Sequence, residues 1–166
     1  MILAVDVYYK ESSAKAVGIL FNPGDETIKY LEVAYINTVE AYVPGEFYKR
    51  ELPCILKIIE QTNLTEIEVI IIDGYVYVDN NKTFGLGAFL WKTLEEKIPV
   101  IGVAKTSFLK NKETINMLYR GESKNPLYIS SIGYDLNEAT DLIKEMKGNY
   151  RVPNILKLLD SKTKED

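Results

Sequence analysis

Three runs rich in apolar, β-branched or aromatic residues open the chain: 1–10 (MILAVDVYYK), 13–22 (SAKAVGILFN) and 27–36 (TIKYLEVAYI). Runs of this kind, separated by polar turn residues, read as strands. Asn22-Pro23-Gly24-Asp25 supplies the bend between the second and third, so an antiparallel meander is predicted. The period then changes. Leu52, Ile55, Leu56, Ile58 and Ile59 recur at helical spacing after the segment PGEFYKRE. Pro53 is compatible with that helix if the helix starts close to it, because the missing N–H would be an orphan in the first turn. Glu51 is therefore expected near a helix start, pointing back toward the sheet.

Farther along, strand and helix signals alternate. Val69 to Ile72 is a buried strand, Phe84 to Leu94 a helix carrying Leu90, Trp91 and Leu94 on its packing face, and Val100 to Ala104 another strand. Ser107 to Leu118 reads as a helix or an irregular crossover, Leu127 to Ser130 as a short strand, and Leu136 to Met146 as a final helix. Asp135 is its expected cap, with Glu138 three residues on in the manner of a capping box. The charged tail from Asp160 is expected to fray. No repeat or domain boundary is visible, which gives one domain over 1–160 and a polar tail over 161–166. The resulting fold class is α/β: a mixed sheet of five to six strands with an initial meander and flanking helices. Placing Asp6 on the first, central strand and Asp73 at the end of the adjacent fourth gives a ribonuclease H-like topology.

Composition narrows the chemistry. A chain of 166 residues, 46% of them hydrophobic, fits one ordinary domain with a sizeable core and excludes overall disorder. The formal charge of -4 argues against a protein that coats nucleic acid generally, but leaves room for a local basic groove. Cys54 is the single cysteine, so intrachain disulfides and multi-cysteine metal sites are excluded, and a packed thiol is expected. The apolar runs are short and interrupted by charges, which points to a protein of the cytoplasm with no membrane partner. With no histidine in the chain, candidate chemistry falls to carboxylates. Asp6, Glu51 and Asp73 sit at suggestive points, and two or three such groups can hold Mg²⁺ through oxygen ligands while leaving room for water and phosphate.

The motifs VDVYY, AYVPGEFYKRE, IIIDG, IGVAKT and LYISSIGYDL, in this order and spacing, resemble the endonuclease V family across nearly the whole domain. That resemblance implies a ribonuclease H-like fold and cleavage of inosine-containing DNA, or RNA, with Mg²⁺ as cofactor and Mn²⁺ as a substitute. The bond implied is the second phosphodiester 3′ to the deaminated base, leaving a 3′-hydroxyl and a 5′-phosphate. A monomer is expected. The metal ligands fall on Asp6, Glu51 and Asp73, and the active-site lysine on Lys105, where an ammonium can counter charge developing on the scissile phosphate. Tyr42-Val43-Pro44-Gly45 matches the wedge, in which Pro44 and Gly45 set a turn and Tyr42 fills the place of a displaced base. Read without the resemblance, that segment is simply a turn, and Lys105 a solvent-facing loop residue.

Other positions stay open between two roles. Arg50 is expected to pair either with phosphate or with Asp73. Gly74 and Gly85 either permit backbone approach to the base or serve a tight loop and a helix start. Arg120 and Arg151 read as surface groups. The chain also departs from the family pattern where histidines are common: Asp79, Tyr134 and Tyr75 stand there, and Asn81 replaces an arginine. Asp79 and Tyr134 are thus possible auxiliary groups. The substitutions keep two alternatives in play, a nuclease of altered lesion or structure preference and a nucleic-acid-binding domain with weakened catalysis.

Overall fold

The computed structural model describes residues 1–108 and 110–166. Among them, seven strands form one sheet in the order β3-β2-β1-β4-β5-β7-β6. β1 (Ile2–Lys10), β2 (Ser13–Phe21) and β3 (Tyr30–Ile36) form the expected meander. β4 (Val69–Asp73) pairs parallel to β1, and β5 (Val100–Ala104) parallel to β4. β7 (Leu127–Ile132) runs antiparallel to β5, with the short β6 (Asn116–Leu118) on its outer edge. The sheet is thus one strand larger than the upper expectation. The extra strand, β6, ends the segment 107–118 that had been read as helix or crossover. Leu109, inside that segment, lies outside the described residues.

Pleat parity divides the core. Leu3, Val5, Ile70 and Ile72 pack on the face covered by α1 (Phe47–Gln61) and α2 (Leu86–Thr93). Ile2, Ala4, Val69, Ile71, Ile101 and Val103 pack on the face covered by α3 (Leu136–Glu145) and α4 (Asn154–Lys164). Successive strand residues point to opposite faces, and both faces of the central strands are covered. That is why β4 reads as an unbroken apolar run.

The helices depart from the reading in three places. α1 starts at Phe47, so Pro53 lies in its interior and leaves the Lys49 carbonyl without its helical donor, and Glu51 sits one turn into the helix. α2 starts at Leu86; Phe84 instead forms an isolated bridge to Tyr77. The tail expected to fray is, as far as Lys164, the end of α4. Ile155 and Leu159 anchor that helix in the core, and Lys15 from β2 donates to the carbonyls of Lys162 and Glu165, both at 2.8 Å. The Asp135 cap is present, its carboxylate accepting from the Glu138 N–H at 3.0 Å.

Candidate acidic centre and base pocket

The parallel register carries Val5 opposite Ile72, and the next residue on each strand is an aspartate. Asp6 and Asp73 therefore lie side by side where β4 leaves the sheet. Both share the parity of Ile71, so both face the α4 side, where they line a crevice with Val103, Lys105, Leu156 and Leu159. Lys105, the first residue past β5, reaches within 3.7 Å of Asp73 Oδ2. The Val7 N–H donates to Asp6 Oδ1 at 2.9 Å.

Glu51 approaches from α1 on the opposite face and is buried, at 8% exposure. Burial raises its pKa to about 8; the neighbouring Tyr9 hydroxyl offsets part of this, while Asp6 and Asp73 push it up further. Asp6 is raised to about 6, by burial first and then by Asp73. Burial also raises Asp73, against the opposing charge of Lys105. The three carboxylates are close enough to repel one another. Among the described residues, however, no three His, Cys, Asp or Glu side chains stand close enough together to hold a metal ion as they are.

A second hollow, of about 410 Å³, opens beside Gly74 and is walled by Tyr42, Gly45, Phe47, Tyr48, Tyr75, Gly85 and Phe108, with Asp79 and Lys110 at its polar side. Its volume is in the range of small-ligand sites. Tyr42 rides on a turn closed by the Glu46 N–H to the Val43 carbonyl at 3.0 Å. Pro44 occupies the first corner and Gly45, with φ at 82°, the second, the signature of a type II turn. At the opposite wall the Gly74 carbonyl passes so close to Gly102 that a Cβ there would meet it at 2.5 Å.

Several expected roles change. Arg50 pairs with neither Asp73 nor any other carboxylate among the described residues; its guanidinium lies 3.7 Å from the centre of the Tyr9 ring, with Nε buried and unpartnered. Asp79 spends its Oδ1 on the N–H groups of Asn81 and Thr83, organising its own loop. Tyr134 lies beyond the Ile132–Val100 pair, whereas Tyr128 pairs with Ala104 next to Lys105. The antiparallel course of β7 thus carries Tyr134 to the opposite end of the sheet from the aspartates. Cys54 is buried, as expected.

Other residues were missed. Asp160, on α4, is close enough to raise the pKa of both Asp6 and Asp73. The signal for its helix was present in the apolar spacing of Ile155, Leu156 and Leu159 after Pro153. Arg120 is buried, not a surface group, and donates to the carbonyls of Met146, Gly148, Tyr150 and Arg151. No sequence pattern marks a guanidinium that binds distant main-chain carbonyls.

Fold and site together define a ribonuclease H-like α/β protein with an acidic centre where the parallel pairing of its central strands ends. The chain belongs to the endonuclease V family, whose model, described as Endonuclease V, matches residues 1–161. Endonuclease V of Saccharolobus solfataricus is 29% identical over 171 aligned positions, covering 99% of this chain and 81% of that protein. The Trichormus variabilis protein is 27% identical, covering 89% and 73% respectively. Human ENDOV superposes with a TM-score of 0.76 at 22% identity, covering 98% of this chain and 82% of that one. Ciona intestinalis Endonuclease V, solved in complex with a 24mer DNA containing an inosine followed by a ribo-adenosine, superposes with a TM-score of 0.81 at 16% identity, covering 98% and 83%. No helix among the described residues is long and apolar enough to cross a membrane.

Proposed function

We propose that this chain is a divalent-metal-dependent endonuclease that cleaves inosine-containing nucleic acid at the second phosphodiester bond 3′ to the deaminated base, leaving a 3′-hydroxyl and a 5′-phosphate. The observation that carries this reading is the juxtaposition of an aromatic-lined pocket, roomy enough for a base, with the Asp6–Asp73–Lys105 centre, Gly74 lining the pocket next to Asp73. Family membership supports it, as does the inosine-bearing DNA bound by the Ciona protein.

The donor set fits a hard cation: Asp6, Asp73 and Glu51 offer only oxygen, burial raises the pKa of each, and repulsion from neighbouring carboxylates adds to it, from Asp73 for Asp6, from Asp6 and Asp73 for Glu51, and from Asp160 for Asp73. Asp160, on α4, adds negative charge nearby while its own Oδ2 pairs with Lys164 at 2.9 Å. When bound, Mg²⁺ or Mn²⁺ supplies charge neutralisation and Lewis-acid activation at the phosphate. Lys105 presents its ammonium to the phosphate and balances charge as the bond breaks. Tyr42 fills the gap left by the displaced base, which the pocket receives against Phe47, Tyr75 and Phe108.

Cleavage of an inosine-containing strand is expected with Mg²⁺ or Mn²⁺ and not with EDTA. Asp6→Asn and Asp73→Asn should each lower turnover by at least about 100-fold, equivalent to roughly 2.7 kcal/mol of barrier. Metal-independent cleavage, or none in folded wild-type protein, contradicts the reading. A second reading, altered lesion or structure preference, is favoured by the commitment of Asp79 to its own loop and by the remoteness of Tyr134. Faster cleavage of an abasic, uracil, mismatched or flap substrate than of the inosine strand would select it.

A further inference from the structure

Lys105 leaves β5 on a segment whose next regular element, β6, begins only at Asn116. A lysine on such a segment is placed only as well as its main chain is held. Two side chains from different parts of the fold hold it. Arg151, on the connector ahead of α4, donates from Nη2 to the Lys105 carbonyl, and from Nε and Nη2 to the Pro126 carbonyl at 3.2 and 2.7 Å. Tyr75, two residues past Asp73, donates its hydroxyl to the Thr106 carbonyl at 2.6 Å.

Both anchors are fixed in turn. The Val76 N–H rests on Ser130 Oγ at 3.0 Å and the Gly74 N–H on the Val103 carbonyl at 3.1 Å, which holds the backbone on either side of Tyr75. Arg120 grips the connector that carries Arg151 through four of its carbonyls. The Tyr75 ring also tilts against Phe108, with centroids 5.9 Å apart, on the pocket wall.

We propose that Tyr75 and Arg151 are positioning residues for Lys105, clamping the two consecutive carbonyls at the root of its loop. The inference rests on the reading of Lys105 as the phosphate-facing cation. It assigns a use to a guanidinium outside both hollows and to a phenol hydroxyl whose ring, separately, lines the base pocket. A misplacement of about 1 Å in such a group costs up to about 100-fold in rate.

The test uses two readouts. In ¹⁵N relaxation of the metal-free protein, the Lys105 and Thr106 amides of the wild type should have order parameters near about 0.85. Tyr75→Phe, which keeps the ring, and Arg151→Gln should each bring them below about 0.6. In turnover of the inosine strand, Tyr75→Phe should lower kcat about 10-fold with KM within about 2-fold, and should add nothing in a Lys105→Ala background. Unchanged order parameters in both variants overturn the clamp. So does a Tyr75→Phe loss that persists at full size when Lys105 is absent. If the wild type fails to cleave, the proposed activity fails, and the relaxation readout still decides the clamp.

Discussion

Tyr42 is 56% exposed on its turn at the pocket rim. A side chain so placed contributes little packing, so Tyr42→Ala should leave stability within about 0.5 kcal/mol. Loss of a stacking platform costs about 1–3 kcal/mol per base. Binding of an inosine strand, followed by fluorescence anisotropy, should therefore weaken roughly 5- to 150-fold with an unchanged melting curve. A lowered melt with unaltered binding would make Tyr42 a structural residue. At this scale the sequence was a good guide wherever chemistry follows from a short segment: Asp6 within the first strand, Asp73 at the exit of the fourth, the Pro44-Gly45 turn, and the lysine after IGVA. It was a poor guide wherever a partner is distant in the chain. Arg50 meets Tyr9 rather than Asp73, and Arg151 meets Lys105 across 46 residues.

Among the elements, α4 changes the picture most. Its composition past Asp160 is charged, which suggested fraying, yet Ile155 and Leu159 dock on the sheet, and the helix brings Asp160 to the aspartates. Leu159 is 4% exposed and lines the crevice beneath Asp6. Truncation to alanine removes that packing and leaves a cavity, a loss of about 2–5 kcal/mol. Leu159→Ala should accordingly lower the thermal midpoint by about 4–20 °C at the usual 2–4 °C per kcal/mol for a chain of this size. An unshifted midpoint would mean that α4 frays in solution. The α1 boundary was misplaced for a related reason. Pro53 looked like a first-turn residue because local preference disfavours it elsewhere. Cys54, Ile55, Ile58 and Ile59 bury enough apolar surface to retain it inside the helix.

For the whole molecule, the acidic centre links stability to pH and to metal. A carboxyl whose pKa is raised on folding holds its proton more tightly in the folded state. Folding is then unpenalised below the ordinary carboxylate range near pH 4, and loses stability as pH rises through about 6 for Asp6 and about 8 for Glu51. The metal-free midpoint should fall between pH 5 and pH 8.5, and Glu51→Gln should flatten the descent. Mg²⁺ should raise the midpoint more at pH 8 than at pH 5, since it binds the ionised carboxylates. Calorimetry across this range with EDTA or Mg²⁺ checks all three; a metal-free midpoint that climbs with pH would contradict the shifts. The sequence by itself determined six of the seven strands, the meander, the apolar β4 and the acidic character of the site, because pleat period, turn chemistry and the absence of histidine are properties of short segments and of composition. Only the tertiary structure decided that Asp6 and Asp73 share the α4 face, that Glu51 approaches them from α1, that Tyr134 lies at the far end of the sheet, and that Asp160 comes close enough to raise the pKa of both aspartates. Those facts depend on inter-strand register and on which helix covers which face, and both are settled by packing between segments that the chain keeps far apart.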